Sequence, residues 1–290
     1  MFIRTAIIGP MNSLRWTRPW ICAIALWFIG LSLPVLAAAA AKAPAADIEA
    51  AAAKAPAAAS KKVLIAAASN FTSTARALSS AFEQASGHTA TLTFGSTGQL
   101  YAQIMQGAPF DVFLAADQQR PQRLEAAGRT VAGSRVTYAI GSLVLAATGE
   151  PGSLENAVQR LRGSDYSRLA MANPRLAPYG SAAREVLVSL DALAAAEAKV
   201  VLGENVGQVF AMLTTGNVQL AFVARAQLGG VAEEFALWPV PASLHSPIRQ
   251  DLVLLSRAAN NPAAIAFLQF LGTAQAQEII ARHGYRVAGD

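Results

Sequence analysis

Short apolar runs alternate with amphipathic segments from residue 63 onward, and this alternation constrains the fold more than any other feature. Val63–Ala68 predicts a buried strand. Apolar residues then recur at helical spacing from Phe71 to Phe82, with Asn70 as the expected helix cap. Further strands are predicted at Thr91–Phe94, Val112–Ala115, Leu143–Ala147, Leu169–Ala172, Val218–Val223 and Leu252–Leu255. The pattern predicts an α/β fold built from parallel βαβ units.

The first sixty residues have a different character and predict export. Three arginines precede an apolar run, Ile21–Leu36, which leads into an alanine tract with several small-residue cleavage sites. A retained membrane anchor fits less well, because it needs about 20 apolar residues without such an exit. We therefore interpret residues 1–38 as a signal peptide and expect a periplasmic location. Residues 39–61, rich in Ala, Lys and Pro, are interpreted as a low-complexity tether.

Charge and cysteine content exclude several classes of protein. The chain carries 23 Lys plus Arg against 18 Asp plus Glu, but from Val63 onward the two counts are sixteen and sixteen. The basic excess therefore lies in the leader and tether, and no nucleic-acid partner is expected. Cys22, the only cysteine, lies in the apolar run, so no disulfide framework is expected. None of the three histidines has the spacing of a metal site, and His88, in a polar turn, is expected to be exposed.

Three predicted strand-to-helix junctions carry short hydroxyl or amide side chains. The first contains Ser69 and Asn70, the second Ser96 and Thr97, and the third spans residues 173–181. Helix N-termini present unpaired N–H groups and a positive dipole end, and open α/β sheets bind ligands at the carboxyl ends of their strands. Each junction alone also fits an ordinary N-cap or a tight turn. Together they favour an anion site.

Three blocks of sequence carry a family resemblance. They read AAASNF at residues 66–71, FGSTGQLYAQI at residues 94–104 and GAPFDVFLAAD at residues 107–117. With residues 173–179, 204–206 and 275–285, these blocks resemble the periplasmic molybdate-binding protein family, often called ModA. The resemblance extends over essentially the whole of the chain that follows the tether.

The resemblance implies a type II periplasmic binding protein, with two α/β lobes joined by two crossover strands and the ligand between them. Lobe I would hold residues 62–139 and 247–290, and lobe II residues 140–246. The implied function is capture of molybdate, and of tungstate, for the membrane permease of an ABC importer. A monomer without a cofactor is expected, and the metal is bound only through its oxyanion's oxygens. The alternative is a binding protein for another oxyanion, such as sulfate or thiosulfate.

The same resemblance implies the residues of the anion site, which it places at Ser69 and Asn70, at Ser96 or Thr97, at Tyr179 and at the backbone N–H of Val206. Some family members have a tyrosine at the position that aligns with Ala224, and we expect Tyr179 to supply that hydroxyl. Asp111 and Asp117 are expected to be structural, because a carboxylate repels a dianion. Arg175 is expected to be solvated.

A hydrolase is the rival interpretation, since Ser69 or Ser96 could be a nucleophile. Neither lies in a Gly-x-Ser-x-Gly motif, and none of the three histidines stands where a triad would require it. A sensor lobe is a second rival, but no output domain follows in the sequence. We therefore expect a binding protein and not an enzyme.

Overall fold

A computed structural model describes residues 61–149 and 154–286. The expected signal peptide, and the expected tether up to residue 60, lie outside the described residues. In chain order, the strands of the described part are β1 (Lys62–Ala68), β2 (Thr89–Gly95), β3 (Val112–Leu114), β4 (Val136–Gly141), β5 (Leu143–Ala147), β6 (Leu169–Ala172), β7 (Val200–Gly203), β8 (Leu220–Ala224), β9 (Ala236–Pro239) and β10 (Ile248–Leu254). None of the described helices is both long and apolar enough to cross a membrane.

The α-helices of the described part are α1 (Thr72–Ser86), α2 (Thr97–Met105), α3 (Gln119–Ala126), α4 (Leu154–Gly163), α5 (Pro178–Ser189), α6 (Leu193–Glu197), α7 (Val206–Thr214), α8 (Pro262–Leu271) and α9 (Ala274–Arg282). Several begin where the sequence predicts. Asn261 caps α8, with Pro262 as its first residue, and Thr273 caps α9 through Ala276 N–H. Asn70 does not cap α1, because it lies inside a short 3₁₀ turn, Ser69–Phe71, that precedes the helix.

The strands form two five-stranded mixed sheets. The first has the order β2-β1-β3-β10-β4, with β1 parallel to β2 and β3, and with β10 antiparallel to β3 and β4. The second has the order β7-β6-β8-β5-β9, with β6 parallel to β7 and β8, and with β5 antiparallel to β8 and β9. The α/β prediction is confirmed. The predicted parallel βαβ units are present, since β1 is parallel to β2 and β3 and β6 is parallel to β7 and β8, while β5 and β10 run antiparallel to their neighbours.

The chain passes between the two sheets twice. It leaves the first sheet at Gly141 and enters the second at Leu143, and it returns between Pro239 and Ile248. Since Ile248 pairs with Gly141 in the first sheet, the two passages lie side by side. The carboxyl ends of β1, β2 and β6, together with the helices that follow them, meet across the space between the sheets.

Each sheet is covered by helices that bury their apolar faces. In the first, Phe71, Leu78, Phe82 and Phe267 are at most 1% exposed. Phe82 and Phe267 meet edge to face at 5.2 Å between centroids, an arrangement worth about 0.5–1.5 kcal/mol beyond area burial. The prediction that His88 is exposed is wrong, because its ring packs 6.2 Å from that of Phe82 and the residue is buried.

Candidate functional site

All six residues predicted for the anion site line one cavity between the two sheets. The cavity is small, and it is lined by Ala68, Ser69, Asn70, Gly95, Ser96, Thr97, Ala116, Ala177, Pro178, Tyr179 and Val206. Each of the six is at most 9% exposed. Among the described residues, no Asp, Glu, Lys or Arg side chain lines this space. The structure thus brings the six residues together, and their contact with an anion stays a prediction.

Ser69 stands where the 3₁₀ turn leaves β1, and it bridges the two halves of the molecule. Its Oγ accepts a hydrogen bond from the backbone N–H of Gly207, at the start of α7, at 3.3 Å. Because this oxygen already accepts, the hydroxyl hydrogen of Ser69 is free to donate into the cavity.

Ser96 and Thr97 follow β2, and their hydroxyl oxygens, like that of Ser69, accept hydrogen bonds from backbone N–H groups. Ser96 Oγ accepts from Gln99 N–H at 3.3 Å, while the Gln99 side chain accepts from Ser96 N–H, which together form a capping box at the start of α2. Thr97 Oγ1 accepts from Ala116 N–H at 3.1 Å. Both hydroxyl oxygens are therefore fixed by backbone amides, and both hydroxyl hydrogens remain available.

The side-chain amide of Asn70 does not offer a donor to the cavity. Its Nδ2 donates to Gln250 Oε1 at 2.9 Å and to Tyr285 Oη at 3.0 Å, so both amide hydrogens are used. Tyr285 in turn donates its hydroxyl hydrogen to the backbone carbonyl of Asn70 at 2.8 Å. Asn70 can consequently serve the cavity only through its backbone N–H, in the first turn before α1.

The second half of the molecule contributes the N-termini of α5 and α7. Pro178 is the first residue of α5, and Asn205 caps α7 by accepting from Gln208 N–H at 3.1 Å. Val206 follows this cap directly, so its N–H belongs to the unpaired first turn. With α1 and α2 opposite, the positive dipole ends of four helices face one small space, an arrangement that suits a negative charge.

Tyr179 is 2% exposed and its hydroxyl is buried. Burial raises the pKa of Tyr179 well above its usual range, and nearby Tyr285 and Tyr138 raise it further. The phenol therefore keeps its hydrogen at neutral pH. Within the described residues, Tyr179 Oη makes no hydrogen bond of normal geometry, and neither does Gln250 Nε2. The hydroxyl group of Tyr179, which lines the cavity, is therefore a donor without an acceptor among the described residues.

Four hydrogen bonds join the two halves around the cavity in addition to the Ser69 bridge, and the longest runs from Ser73 Oγ to Ala226 O at 3.5 Å. Gly98 N–H donates to Leu176 O at 2.9 Å, and Arg120 Nη2 donates to Arg175 O at 2.9 Å. Gln99 Nε2 donates to Glu204 Oε2 at 3.0 Å. These bonds hold a closed arrangement in which the six lining residues are buried.

Two larger clefts flank the cavity, and they differ in charge. One, here called the arginine cleft, shares Ser69 and Asn70 with the cavity, and its charged lining residues are Arg76, Arg225 and Arg282. The other mixes charges of both signs, namely Asp117, Arg120, Arg175, Glu185 and Arg249. Positive potential is thus concentrated on one side of the cavity.

The remaining sequence predictions have these outcomes. As expected, Asp111 is structural: it accepts from Leu64 N–H at 2.8 Å and forms an ion pair with Arg257 at 2.6 Å. Asp117 likewise pairs with Arg120 and accepts from its N–H. Arg175 is exposed and lines the mixed cleft. Ala224 is buried at the end of β8 and is not among the residues that line the cavity.

The sequence did not predict four residues that lie beside the site, namely Gln250, Tyr285, Tyr138 and Gly141. They surround Asn70 and Tyr179 from β10, the C-terminal segment and β4. No local motif marks them, because each meets the site only through the packing of distant strands. The described residues also contain no group of three or more His, Cys, Asp or Glu that could hold a metal ion.

The chain matches a protein-family profile across the domain. The profile described as "Bacterial extracellular solute-binding protein" matches residues 63–286. The molybdate-binding protein ModA of Azotobacter vinelandii is 43% identical over 226 residues, which cover 77% of this chain and 89% of that protein. ModA of Rhodobacter capsulatus is also 43% identical, over 227 residues, covering 78% of this chain and 89% of that protein.

Comparison with solved structures agrees with the similarity found in the sequence. The periplasmic molybdate-binding protein of Azotobacter vinelandii superimposes with a TM-score of 0.73 and 35% sequence identity, covering 78% of this chain and 99% of that one. This match confirms the predicted type II periplasmic binding fold.

Proposed function

Because this chain belongs to the ModA family of bacterial extracellular solute-binding proteins, we propose that it captures molybdate in the periplasm and delivers it to the permease of an ABC importer. Tungstate, an oxyanion of the same charge and shape, is proposed as a second ligand. The protein acts by binding and release, without catalysis or a cofactor. The expected signal peptide would bring it to the periplasm, where it would work as a monomer.

The proposed lobes are residues 62–139 with 247–290, and residues 140–246. The passages at Gly141–Leu143 and Pro239–Ile248 would act as the hinge, since the chain crosses between the sheets only there in the described part. Opening would break the five hydrogen bonds that join the halves around the cavity, and it would expose the cavity. Closure would bury the anion among the six lining residues.

The observation that carries the proposal is the state of three hydroxyl groups. Ser69, Ser96 and Thr97 each accept from a backbone N–H with their oxygens, so each is left with a hydrogen to donate. Molybdate at neutral pH is fully deprotonated, so its oxygens accept and none donates. Hydrogen phosphate has a hydrogen of its own, and a cavity lined by donors offers no partner for it. An unpartnered buried donor costs about 1–3 kcal/mol.

Neutral donors suffice for the expected affinity. Hydrogen bonds to a charged group contribute about 1.5–3 kcal/mol each, and micromolar binding needs about 8.2 kcal/mol. Four such bonds supply about 6–12 kcal/mol, and the dipoles of four helix N-termini add to this, so micromolar affinity is within reach of neutral donors. A buried arginine is not required for charge balance.

The test is calorimetry with molybdate, tungstate, sulfate, thiosulfate and phosphate on the mature, ligand-stripped protein. Molybdate and tungstate are expected to bind in the micromolar range or tighter, and phosphate roughly fivefold to a hundredfold more weakly. Tighter binding of sulfate or thiosulfate would establish the alternative function. Absence of binding by all five anions would contradict an oxyanion site.

A pair of serine variants tests the location of the site. Ser69→Ala removes a hydroxyl from the cavity, and it is expected to weaken molybdate binding by roughly tenfold or more. Ser80→Ala is the matched control, because Ser80 is exposed on α1 and lines neither the cavity nor the arginine cleft. Equal affinities for the two variants would place the anion elsewhere.

A further inference from the structure

A chain of buried hydrogen bonds behind the cavity fixes the orientation of one amide. Tyr285 donates its only hydroxyl hydrogen to Asn70 O, so its oxygen must accept from Asn70 Nδ2. The second hydrogen on Asn70 Nδ2 goes to Gln250 Oε1. Gln250 must therefore present its oxygen to Asn70, and its Nε2 group faces the other way.

Gln250 Nε2 and Tyr179 Oη face the same spot. A methyl group built on Gly141 would lie 2.1 Å from Tyr179 Oη and 2.9 Å from Gln250 Nε2. Gln250 is 0% exposed, and in the described part of the chain neither atom has another hydrogen-bond partner. Nε2 can only donate, whereas a phenol oxygen can accept. Two buried groups of complementary kind thus meet beside Gly141.

We propose that Gln250 is a positioning residue, which donates from Nε2 to the oxygen of Tyr179 and so directs the tyrosine's hydrogen into the anion cavity. The proposal rests on the proposed function. It extends a pattern already present in the cavity, where the oxygens of Ser69, Ser96 and Thr97 accept from backbone N–H groups. Tyr179 has no such backbone donor, and Gln250 supplies the equivalent from β10.

The consequence concerns selectivity. A Tyr179 oxygen occupied by Gln250 is a poor acceptor for a ligand, so the fourth hydroxyl of the cavity also acts as a donor. The competing acceptor for its hydrogen is Tyr285 Oη, which is close enough to raise the pKa of Tyr179. A Tyr179–Tyr285 hydrogen bond would leave the anion with one donor fewer, and the two arrangements give different mutational results.

The deciding experiment is a double-mutant cycle measured by molybdate calorimetry. Gln250→Met keeps the size of the side chain and removes its donor, and it is expected to weaken binding roughly three- to tenfold. Tyr179→Phe is expected to weaken binding roughly tenfold to a hundredfold. Adding Gln250→Met to Tyr179→Phe should then change the affinity by less than about twofold, because the hydroxyl that Gln250 positions is gone.

A merely structural role for Gln250 predicts a different cycle. Loss of the Asn70 contact would weaken binding by the same factor with tyrosine or phenylalanine at position 179, and such additivity would overturn the proposal. If wild-type protein binds no molybdate, the proposed function fails instead. Binding by wild type with an additive cycle rejects only the role of Gln250.

A second measurement avoids any change at Gln250, in case Gln250→Met does not fold. The side-chain amide signals of Gln250 in ¹⁵N-edited NMR spectra of the molybdate complex report on its hydrogen bond. They are expected to move when Tyr179→Phe removes the acceptor, whereas the signals of exposed Gln208 should not. Unchanged Gln250 signals in the Tyr179→Phe variant would overturn the proposal.

Discussion

The backbone N–H of Gly98 donates to the carbonyl oxygen of Leu176 at 2.9 Å, and this bond joins α2 of one half to the loop before α5 of the other. The contact is close because Gly98 has no side chain. A Cβ at this position would lie 3.0 Å from Leu176 O and 3.1 Å from both Leu176 Cα and Arg120 Nη2. Closure of the two halves therefore depends on glycine here.

We predict that Gly98→Ala weakens molybdate binding roughly five- to a hundredfold, as expected for overpacking a tight contact by about 1–3 kcal/mol. Thermal unfolding without ligand should change little, since the contact belongs to closure. Small-angle scattering should show ligand-induced compaction in wild type and less of it in the variant. Gly163→Ala is the control, with open space around the added methyl. Equal compaction and affinity in both variants would contradict this view of closure.

Gly141→Ala is predicted to displace the hydroxyl of Tyr179, because the new methyl would lie 2.1 Å from it. A rigid phenol ring has no small movement that relieves such an overlap. Molybdate affinity is expected to fall by roughly tenfold or more, similar to the loss in Tyr179→Phe. Calorimetry provides the measurement, and an affinity within about twofold of wild type would show that the ring adjusts freely.

The arginine cleft is predicted to speed the approach of the dianion. Replacing Arg76 and Arg225 by glutamine should slow association between roughly threefold and tenfold at low salt, and leave dissociation nearly unchanged. The difference should shrink as salt is raised. Stopped-flow mixing with molybdate measures both rates. Arg168→Gln is the control, since Arg168 is exposed just before β6, at the end of that strand away from the cavity. Equal association rates in wild type and in the variant that lacks Arg76 and Arg225 would argue against electrostatic steering.

Tyr138 is predicted to make the fold sensitive to alkali. Burial is the main cause that raises its pKa well above the usual value of 10.0, followed by nearby Tyr285, Asp251 and Asp117. Below pH 10 both the folded and the unfolded forms keep the proton, so stability is unaffected. Above pH 10 only the unfolded form ionises, and the free energy of unfolding should fall by about 1.4 kcal/mol per pH unit for this tyrosine.

Urea unfolding at pH 9, 10 and 11 tests this prediction. Above pH 10, the free energy of unfolding of the Tyr138→Phe variant should fall less steeply than that of wild type. Tyr179 and Tyr285 still contribute to the fall in both proteins. Tyr101→Phe, which removes a partly exposed hydroxyl, is the control. Parallel curves for wild type and Tyr138→Phe would contradict the prediction.

Removal of everything before Lys61 is predicted to leave folding and affinity intact, because the alanine-rich segment offers no apolar face to dock. Thermal melts of the full and shortened proteins should agree with and without molybdate, including the ligand-induced shift. A loss of several degrees in the shortened protein would show that the segment packs against the domain.

The sequence alone determined the features that depend on residues close together in the chain, namely strands, helices and helix caps. Apolar periodicity identified most strands and the helices between them. It missed β4, the mostly half-exposed β7 and the short edge strand β9, because their patterns do not stand out from loops. The caps at Ser96, Asn261 and Thr273 follow from side chains that bond two or three residues away. Family resemblance also named six residues that line one cavity in the structure, and their contact with an anion stays a prediction.

Only the tertiary structure decided how these residues are used. Asn70 looked like a helix cap, but its partners Gln250 and Tyr285 stand 180 and 215 residues further along the chain. The close approaches of Tyr179 to Gly141 and of Gly98 to Leu176 join the two halves. Local propensity reports on interactions within a few residues, whereas these contacts join segments that are far apart in the chain and meet only in the packed structure. Their hydrogen bonds therefore leave no periodic trace in the sequence.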